Sequence, residues 1–179
     1  MADGVDFSLT GMDGVLGKMR ELKVDARLKG GRFAARKAAQ VMLAAAQENA
    51  SRIDDPATAN SIEKNLALRF SGRRFKQTGD IMFRVGVMGG ARSYADTKEN
   101  RRKSRVGARY RTDGDKSNPG GDTWYWRLVE LGTSRMPANP FMRPALERNI
   151  SQVIDTFATQ YDKALDRAIR RAKKLQEKG

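Results

Sequence analysis

The hydrophobic period switches from helical to alternating midway along this chain, and that switch limits the fold more than any other feature. Between residues 32 and 53 alanine dominates (Ala34, Ala35, Ala38, Ala39, Ala44, Ala45, Ala46), with Phe33, Val41, Met42 and Ile53 as the larger apolar groups. High helix propensity and short side chains predict a helix that a neighbouring element can approach closely. Asp54-Asp55-Pro56 ends it, because a residue before proline is pushed out of the helical region. From there the pattern alternates. Leu66, Leu68 and Phe70 are interleaved with Ala67 and Arg69; Ile81, Phe83, Val85 and Val87 are interleaved with Met82, Arg84, Gly86 and Met88. This predicts two half-buried strands, most simply an antiparallel hairpin. The turn region between them, Ser71 to Gly79, carries Arg73, Arg74 and Lys76, so its tip is basic.

Helical spacing returns at both ends. Met12, Val15, Leu16, Met19, Leu22 and Ala26 predict a first amphipathic helix over 11–28, weakened by Gly14 and Gly17 and broken off by Gly30-Gly31. Leu146, Ile150, Val153, Ile154, Phe157, Tyr161, Leu165, Ala168, Ile169, Ala172 and Leu175 predict a long last helix. Asn139-Pro140 resembles an N-cap followed by a first-turn proline, but Pro144 would then break a helical hydrogen bond. The regular helix is therefore expected to start at Pro144, and the basic residues of its tail suit a helix C-terminus. Trp124 to Leu131 holds both tryptophans and reads equally as a buried strand or a short helix. The order of elements fits one α+β domain, a small antiparallel sheet packed by an Ala-rich helix and a long C-terminal helix. Its expected bounds are 11–175, with a flexible arm at 1–10, an extended basic loop at 91–122 and a flexible tail at 176–179.

Charge and missing residue types narrow the function. Among 179 residues, Lys and Arg number 35 and Asp and Glu 21, a formal net charge of +14. That balance points to a polyanionic neighbour, nucleic acid first. There is no His and no Cys, which removes His- or Cys-ligated metal centres, disulfides, thiol nucleophiles and His-based triads. No apolar run approaches the ~18 residues of a membrane span. The N-terminus lacks the basic-then-apolar pattern of a secretory signal, so the expectation is a protein working where it is made, without membrane contact. Apolar residues make up 39%, enough for a modest core or one completed by partner subunits.

Catalytic patterns are weak. Gly86-x-x-Gly89-Gly90 lacks the Lys-Ser/Thr of a phosphate-binding loop. Asp113-x-Asp115 opens like a calcium loop, but Asn118 and Trp124 stand where Gly and Glu belong, which leaves a polar turn. Asp96-x-Lys98 could be half of a metal-dependent nuclease site, without a convincing second carboxylate. The expectation is therefore no enzyme, no cofactor and no metal. The strongest electrostatic signal is the run Arg101, Arg102, Lys103, Arg105, Arg109 and Arg111. Contact with a nucleic-acid backbone needs charge and no particular sequence; contact with an acidic protein surface and plain solvation stay open. Tyr94 and Tyr110 flank the run but are too few for a stacking platform. The tryptophans fit a core or a subunit interface.

Residues 125–146, Tyr-Trp-Arg-Leu-Val-Glu-Leu-Gly-Thr-Ser-Arg-Met-Pro-Ala-Asn-Pro-Phe-Met-Arg-Pro-Ala-Leu, resemble the tailed-phage neck family of gene-ten-like head–tail joining or tail-completion proteins. The family hallmark is an aromatic run, Glu, an apolar residue, Gly-Thr, a short basic stretch, Pro-Ala, then Pro-Phe-x-Arg-Pro-Ala and a long helix. Glu130, Gly132, Thr133, Pro137, Ala138, Pro140, Phe141, Arg143, Pro144 and Ala145 fill it. The likeness is strong over 124–147 and extends more loosely over 11–165. The chain departs from the family at 54–56 and in the longer, more basic 91–122 insert.

The resemblance implies a structural virion protein, assembled in the host cytoplasm, that forms a ring in the neck around the DNA channel. Six subunits are expected. The partners would be its own copies, other neck, head-completion and tail-tube proteins, and genome DNA met nonspecifically. A tail-terminator ring or a free basic nucleic-acid-binding protein are the alternatives. Physically, the motif reads as a rigid corner: Gly132 permits a turn, Thr133 and Ser134 bond local backbone, three prolines stiffen the chain, and Phe141 wedges into the core. Glu130 would pair with Arg135 or with Arg143.

Overall fold

The structure, a computed structural model, describes residues 17–18, 24–54 and 57–177. The expected arm at 1–10, most of the first helix (Met12, Val15, Leu16, Met19, Leu22), Asp55-Pro56 and the terminal Lys178-Gly179 lie outside them. The fold is α+β. In chain order the elements are α1 (Val24–Ser51), α2 (Ile62–Asn65), β1 (Leu66–Phe70), α3 (Gly72–Thr78), β2 (Phe83–Val87), β3 (Gly90–Ser93), α4 (Lys98–Arg102), β4 (Arg109–Thr112), α5 (Trp126–Leu131), α6 (Met142–Glu147) and α7 (Ile150–Gln176). The chain divides into two compact units, one made of residues up to Ala38 and from Ile154 onward, the other Ala39–Val153; the boundaries fall within α1 and α7.

The Ala39–Val153 unit contains the predicted hairpin. β1 pairs antiparallel with β2, Leu66 opposite Val87 and Phe70 opposite Phe83. One face of that ladder turns Leu66 and Val87 toward a core of Ala46, Ala50, Ile62, Phe141 and Ala145. The alternation was legible because the two faces meet different environments. The connection is not a turn: Gly72–Thr78 winds into α3, closed by Gly79 in the left-handed region. Phe75 explains it, since its ring packs 5.7 Å from that of Phe70 and gives a polar segment an apolar anchor.

The expected basic loop is also more ordered than its composition suggests. β3 and β4 form a second antiparallel pair, Gly90 opposite Thr112 and Ser93 opposite Arg109, with α4 between them. The hairpin lacks large aliphatic residues, so hydrophobic period could not reveal it. Its order comes from backbone pairing, from Thr97 capping α4, and from Tyr94 and Tyr110, whose rings lie 4.6 Å apart.

In the other unit the reading of Gly30-Gly31 as a break is corrected: α1 runs through both. A Cβ on Gly30 would lie 3.3 Å from Ala164 Cβ and 3.4 Å from Tyr161 Cε2, and Gly31 is buried. The glycines permit close helix–helix approach, and that packing offsets their low helix propensity of about 1 kcal/mol each. Ala34, Tyr161 and Leu165 form the core there, with Ala26, Ala168 and Ile169 packed against it. Lys18 Nζ reaches Asp162 at 2.7 Å and Asp166 at 2.8 Å. Hydrogen bonds to those two carboxylates hold its ammonium above the usual lysine range.

Burial pushes the Tyr161 phenol up from its usual value, opposed by the charge of Arg27. A raised folded-state pKa means that this contribution to stability is whole below pH 10 and is lost as pH rises through the folded value. Absorbance titration should therefore show a tyrosine ionising above the usual phenol value. Tyr161→Phe should remove that late step and flatten the alkaline decline in stability. An unchanged titration would refute the assignment.

The last helix is two helices. α6 starts at Met142, two residues before the expected start at Pro144. Pro144 occupies the third helical position, where the missing N–H would have had no intrahelical partner, and its ring faces a residue outside the helix. After Glu147 the chain turns at Arg148-Asn149. Asn149 Nδ2 donates to the Ala145 carbonyl at 2.9 Å, and its backbone N–H turns to Leu146 O at 3.0 Å. That side-chain competition ends α6 before α7 begins.

Candidate functional site

The motif residues assemble into one closed corner in the Ala39–Val153 unit. The tryptophan segment is helical: α5 begins after Tyr125 and ends at Gly132, whose N–H donates to Leu128 O. Gly132 has φ 75° and ψ 177°, a region essentially restricted to glycine. A Cβ there would lie 2.7 Å from the backbone nitrogen of Ala138. Thr133 closes the next turn: its N–H donates to Met136 O at 2.8 Å, and its Oγ1 accepts from the backbone of Arg135 at 3.3 Å and Met136 at 3.1 Å. Asn139 N–H then returns to Val129 O at 2.8 Å.

Glu130 locks the corner. Its side chain, in a residue only 6% exposed, accepts the backbone N–H groups of Phe141 (2.8 Å), Met142 (3.0 Å) and Arg143 (3.1 Å). These are donors at the start of α6 that have no intrahelical acceptor, and a carboxylate also suits the positive end of a helix. Arg143 is the ion-pair partner: its Nε lies 3.5 Å from Glu130 Oε1, and its Nη2 donates to the Glu130 carbonyl at 3.0 Å. Arg135 has no such contact among the described residues. Phe141 is fully buried, and its carbonyl accepts from Asn49 Nδ2 at 3.0 Å, tying the corner to α1. Pro137 is exposed and Pro140 half-buried, both within the chain reversal from α5 to α6. Several large apolar groups of this region remain exposed, Trp124 at 58% and Leu131 at 66%, with Leu128, Met136 and Leu146.

A second set of contacts anchors the basic excursion. The amide of Asn65, fully buried, donates to Gly121 O and Thr123 Oγ1, each at 2.8 Å, and accepts from Gly120 N–H at 2.7 Å. Ser61 N–H donates to Gly120 O at 2.8 Å. Asp54 accepts from the N–H groups of Ile62 and Glu63 at 2.8 and 2.9 Å, so the acidic residue that follows the Ala-rich helix caps the next one.

The basic residues nominated by sequence are not one cluster. Arg73, Arg74 and Lys76 lie exposed on α3, where Arg74 pairs with Asp80 at 3.2 Å. In the run over 101–111, Arg101 chelates Asp96 and Lys103 pairs with Glu99 at 2.6 Å. Arg105 bonds Asn100 at 3.2 Å and lies 4.7 Å from the Tyr94 ring centre. Two of these six charges are therefore offset by a neighbouring carboxylate, and Arg101 holds the Asp96 carboxyl below the usual range. Both Asp96 oxygens face Arg101, which uses the carboxylate of the Asp96-x-Lys98 pair. Asp113 pairs with Arg127 at 3.1 Å, and Asp115 accepts from Ser117 N–H and Oγ, the geometry of a polar turn. Arg102, Arg109 and Arg111 are exposed without an ion pair among the described residues.

The structure gathers a different basic group. Arg69, Arg84 and Arg127, none of them a sequence candidate, join Arg111 around a cleft of about 590 Å³. Arg69 and Arg84 occupy the outward positions of the two predicted strands, so the alternation held the signal. Their meeting depended on strand register. No protein-family model matches this chain, and neither a curated protein nor a solved structure matches it.

Proposed function

We propose that this chain is a structural subunit of a tailed-phage virion, forming a ring in the neck that joins or completes the head-to-tail connection around the DNA channel. The observation that carries the reading is the closure of the motif segment on Glu130, whose carboxylate gathers the N–H groups of Phe141, Met142 and Arg143. Each motif residue then has a mechanical role: Gly132 and Thr133 make the turn, Glu130 and Arg143 clamp it, and Phe141 pins it to the core. A ring subunit needs such a fixed angle, because an error in one head-to-tail interface accumulates around the ring. The exposed Trp124, Leu128, Leu131, Met136 and Leu146 beside the corner supply the apolar surface that an assembling subunit buries on its neighbours. The work is assembly without turnover, and the expected partners are other copies, neighbouring neck and tail-tube proteins, and the genome.

Size-exclusion chromatography with light scattering, at low and high salt and with negative-stain images of each peak, tests the proposal. A closed ring of defined subunit number, formed alone or on addition of neck components, is the expected result. A ring that caps tail tubes and ignores head connectors would move the assignment to a tail terminator. A monomer indifferent to every such partner that binds DNA with a steep salt dependence would overturn the proposal in favour of a free nucleic-acid-binding protein.

A further inference from the structure

We infer that the cleft bounded by Arg69, Arg84, Arg111 and Arg127 is a site for the phosphate backbone of a nucleic-acid strand. The four guanidinium groups come from three parts of the chain, β1–β2, β4 and α5. Arg69 and Arg84 stand directly opposite each other in the ladder. Like charges in that position oppose folding unless something between them compensates. Among the described residues, Arg69, Arg84 and Arg111 form no ion pair, and the one carboxylate lining the cleft, Asp113, is engaged by Arg127. The cleft therefore carries an excess of three uncompensated cations.

The floor suits a ligand that approaches closely. On the face that carries Arg69 and Arg84, the neighbouring register pair is Ala67 and Gly86, and a Cβ built on Gly86 meets nothing within 4 Å. Small side chains at the floor and arginines at the rim make a trough that a charged backbone can enter. Guanidinium forks match phosphate oxygens in bidentate geometry and are less strongly hydrated than ammonium groups. Trp126 also lines the cleft, with Arg127 5.3 Å from its ring centre. An aromatic residue beside the cations favours a nucleic acid over an acidic peptide, which has nothing to stack.

This site deepens the neck reading, on which it rests for the source of the strand. It moves the DNA contact away from the 101–105 run, where Arg101 and Lys103 are already paired with neighbouring carboxylates. The two ideas fail separately, because oligomeric state tests one and salt-dependent affinity tests the other.

The experiment compares the full chain with Arg69→Gln/Arg84→Gln, and with Arg101→Gln/Lys103→Gln, whose charges are ion-paired, as a control. Fluorescently labelled single- and double-stranded DNA is titrated over a range of salt concentrations. Losing two phosphate contacts should lower the slope of log affinity against log salt by about 2 and weaken binding about tenfold or more at low salt. The control should change the slope by less than half as much. Melting provides a check on folding: the Arg69/Arg84 variant should melt at or above the parent temperature, since a repulsion is removed. DNA should raise the parent's melting temperature more than the variant's. An unchanged slope in a folded variant would overturn the proposal. So would stabilisation of the parent by inorganic phosphate equal to that by DNA, which would mark a site for free phosphate, or binding of polyglutamate as tight as that of DNA, which would mark a peptide site.

Discussion

Glu130→Ala should destabilise the Ala39–Val153 unit by about 3–4 kcal/mol, because it strands three backbone donors at once and removes the partner of Arg143. Hydrogen bonds to a charged acceptor contribute roughly 1.5–3 kcal/mol each. The total stays below their sum because Met142 is half-buried and Arg143 exposed, so water can reach two of the freed N–H groups. Phe141 N–H is buried and has no substitute. Glu130→Gln keeps an acceptor oxygen but adds an N–H₂ among donors, and should lose about half as much. Both tryptophans, Trp124 and Trp126, lie in or beside α5, so urea unfolding followed by their fluorescence reads the right unit. An Ala variant that unfolds at the parent urea concentration would show that Glu130 does not hold the corner. Under the neck proposal, the Gln variant at a temperature where it remains folded should assemble less completely than the parent.

Gly120→Ala should be comparably damaging for a different reason. A Cβ at residue 120 would sit 2.0 Å from the carbonyl oxygen of Ser61 and 2.9 Å from Asn65 Oδ1. The backbone must move, and both bonds that seat this glycine, to Asn65 Oδ1 and from Ser61 N–H, lengthen with it. Overpacking commonly costs about 1–3 kcal/mol, and leaving buried polar groups unpaired adds a similar amount. A total of about 3–5 kcal/mol is expected. Gly86→Ala is the control: open space surrounds its Cβ position, and the change should be neutral or mildly stabilising through loss of unfolded-chain freedom. Limited proteolysis within 89–122 should be much faster in Gly120→Ala than in the parent or in Gly86→Ala. Equal rates for all three would mean that the anchor on Asn65 does not order the excursion.

These two sites differ in how far sequence exposes them. The Glu130 corner was legible as a motif because its contacts are short in sequence: Glu130 reaches residues 11 to 13 positions on, and glycine and prolines mark the turn between. Whether its cation was Arg135 or Arg143 depended on which way the chain reversed. The Asn65 anchor was not legible, since its partners are 55 to 58 residues away and a lone asparagine before a strand has no pattern.

The same division runs through the whole molecule. Sequence alone determined the Ala-rich helix, the alternating pair of strands, the amphipathic C-terminal helix and the excess of positive charge, because each is written in neighbouring residues and in one face's need for burial. Tertiary structure decided the rest. Gly30-Gly31 stays helical because Tyr161 and Ala164 press against that turn, and residues 72–78 coil because Phe75 finds Phe70. The arginines that matter for charge are those the register of β1 on β2 leaves opposed, Arg69 and Arg84, while in the conspicuous run at 101–105 Arg101 and Lys103 find carboxylates close by. A charge is counted in the sequence, but whether it is free to meet a partner is settled by what the fold places beside it.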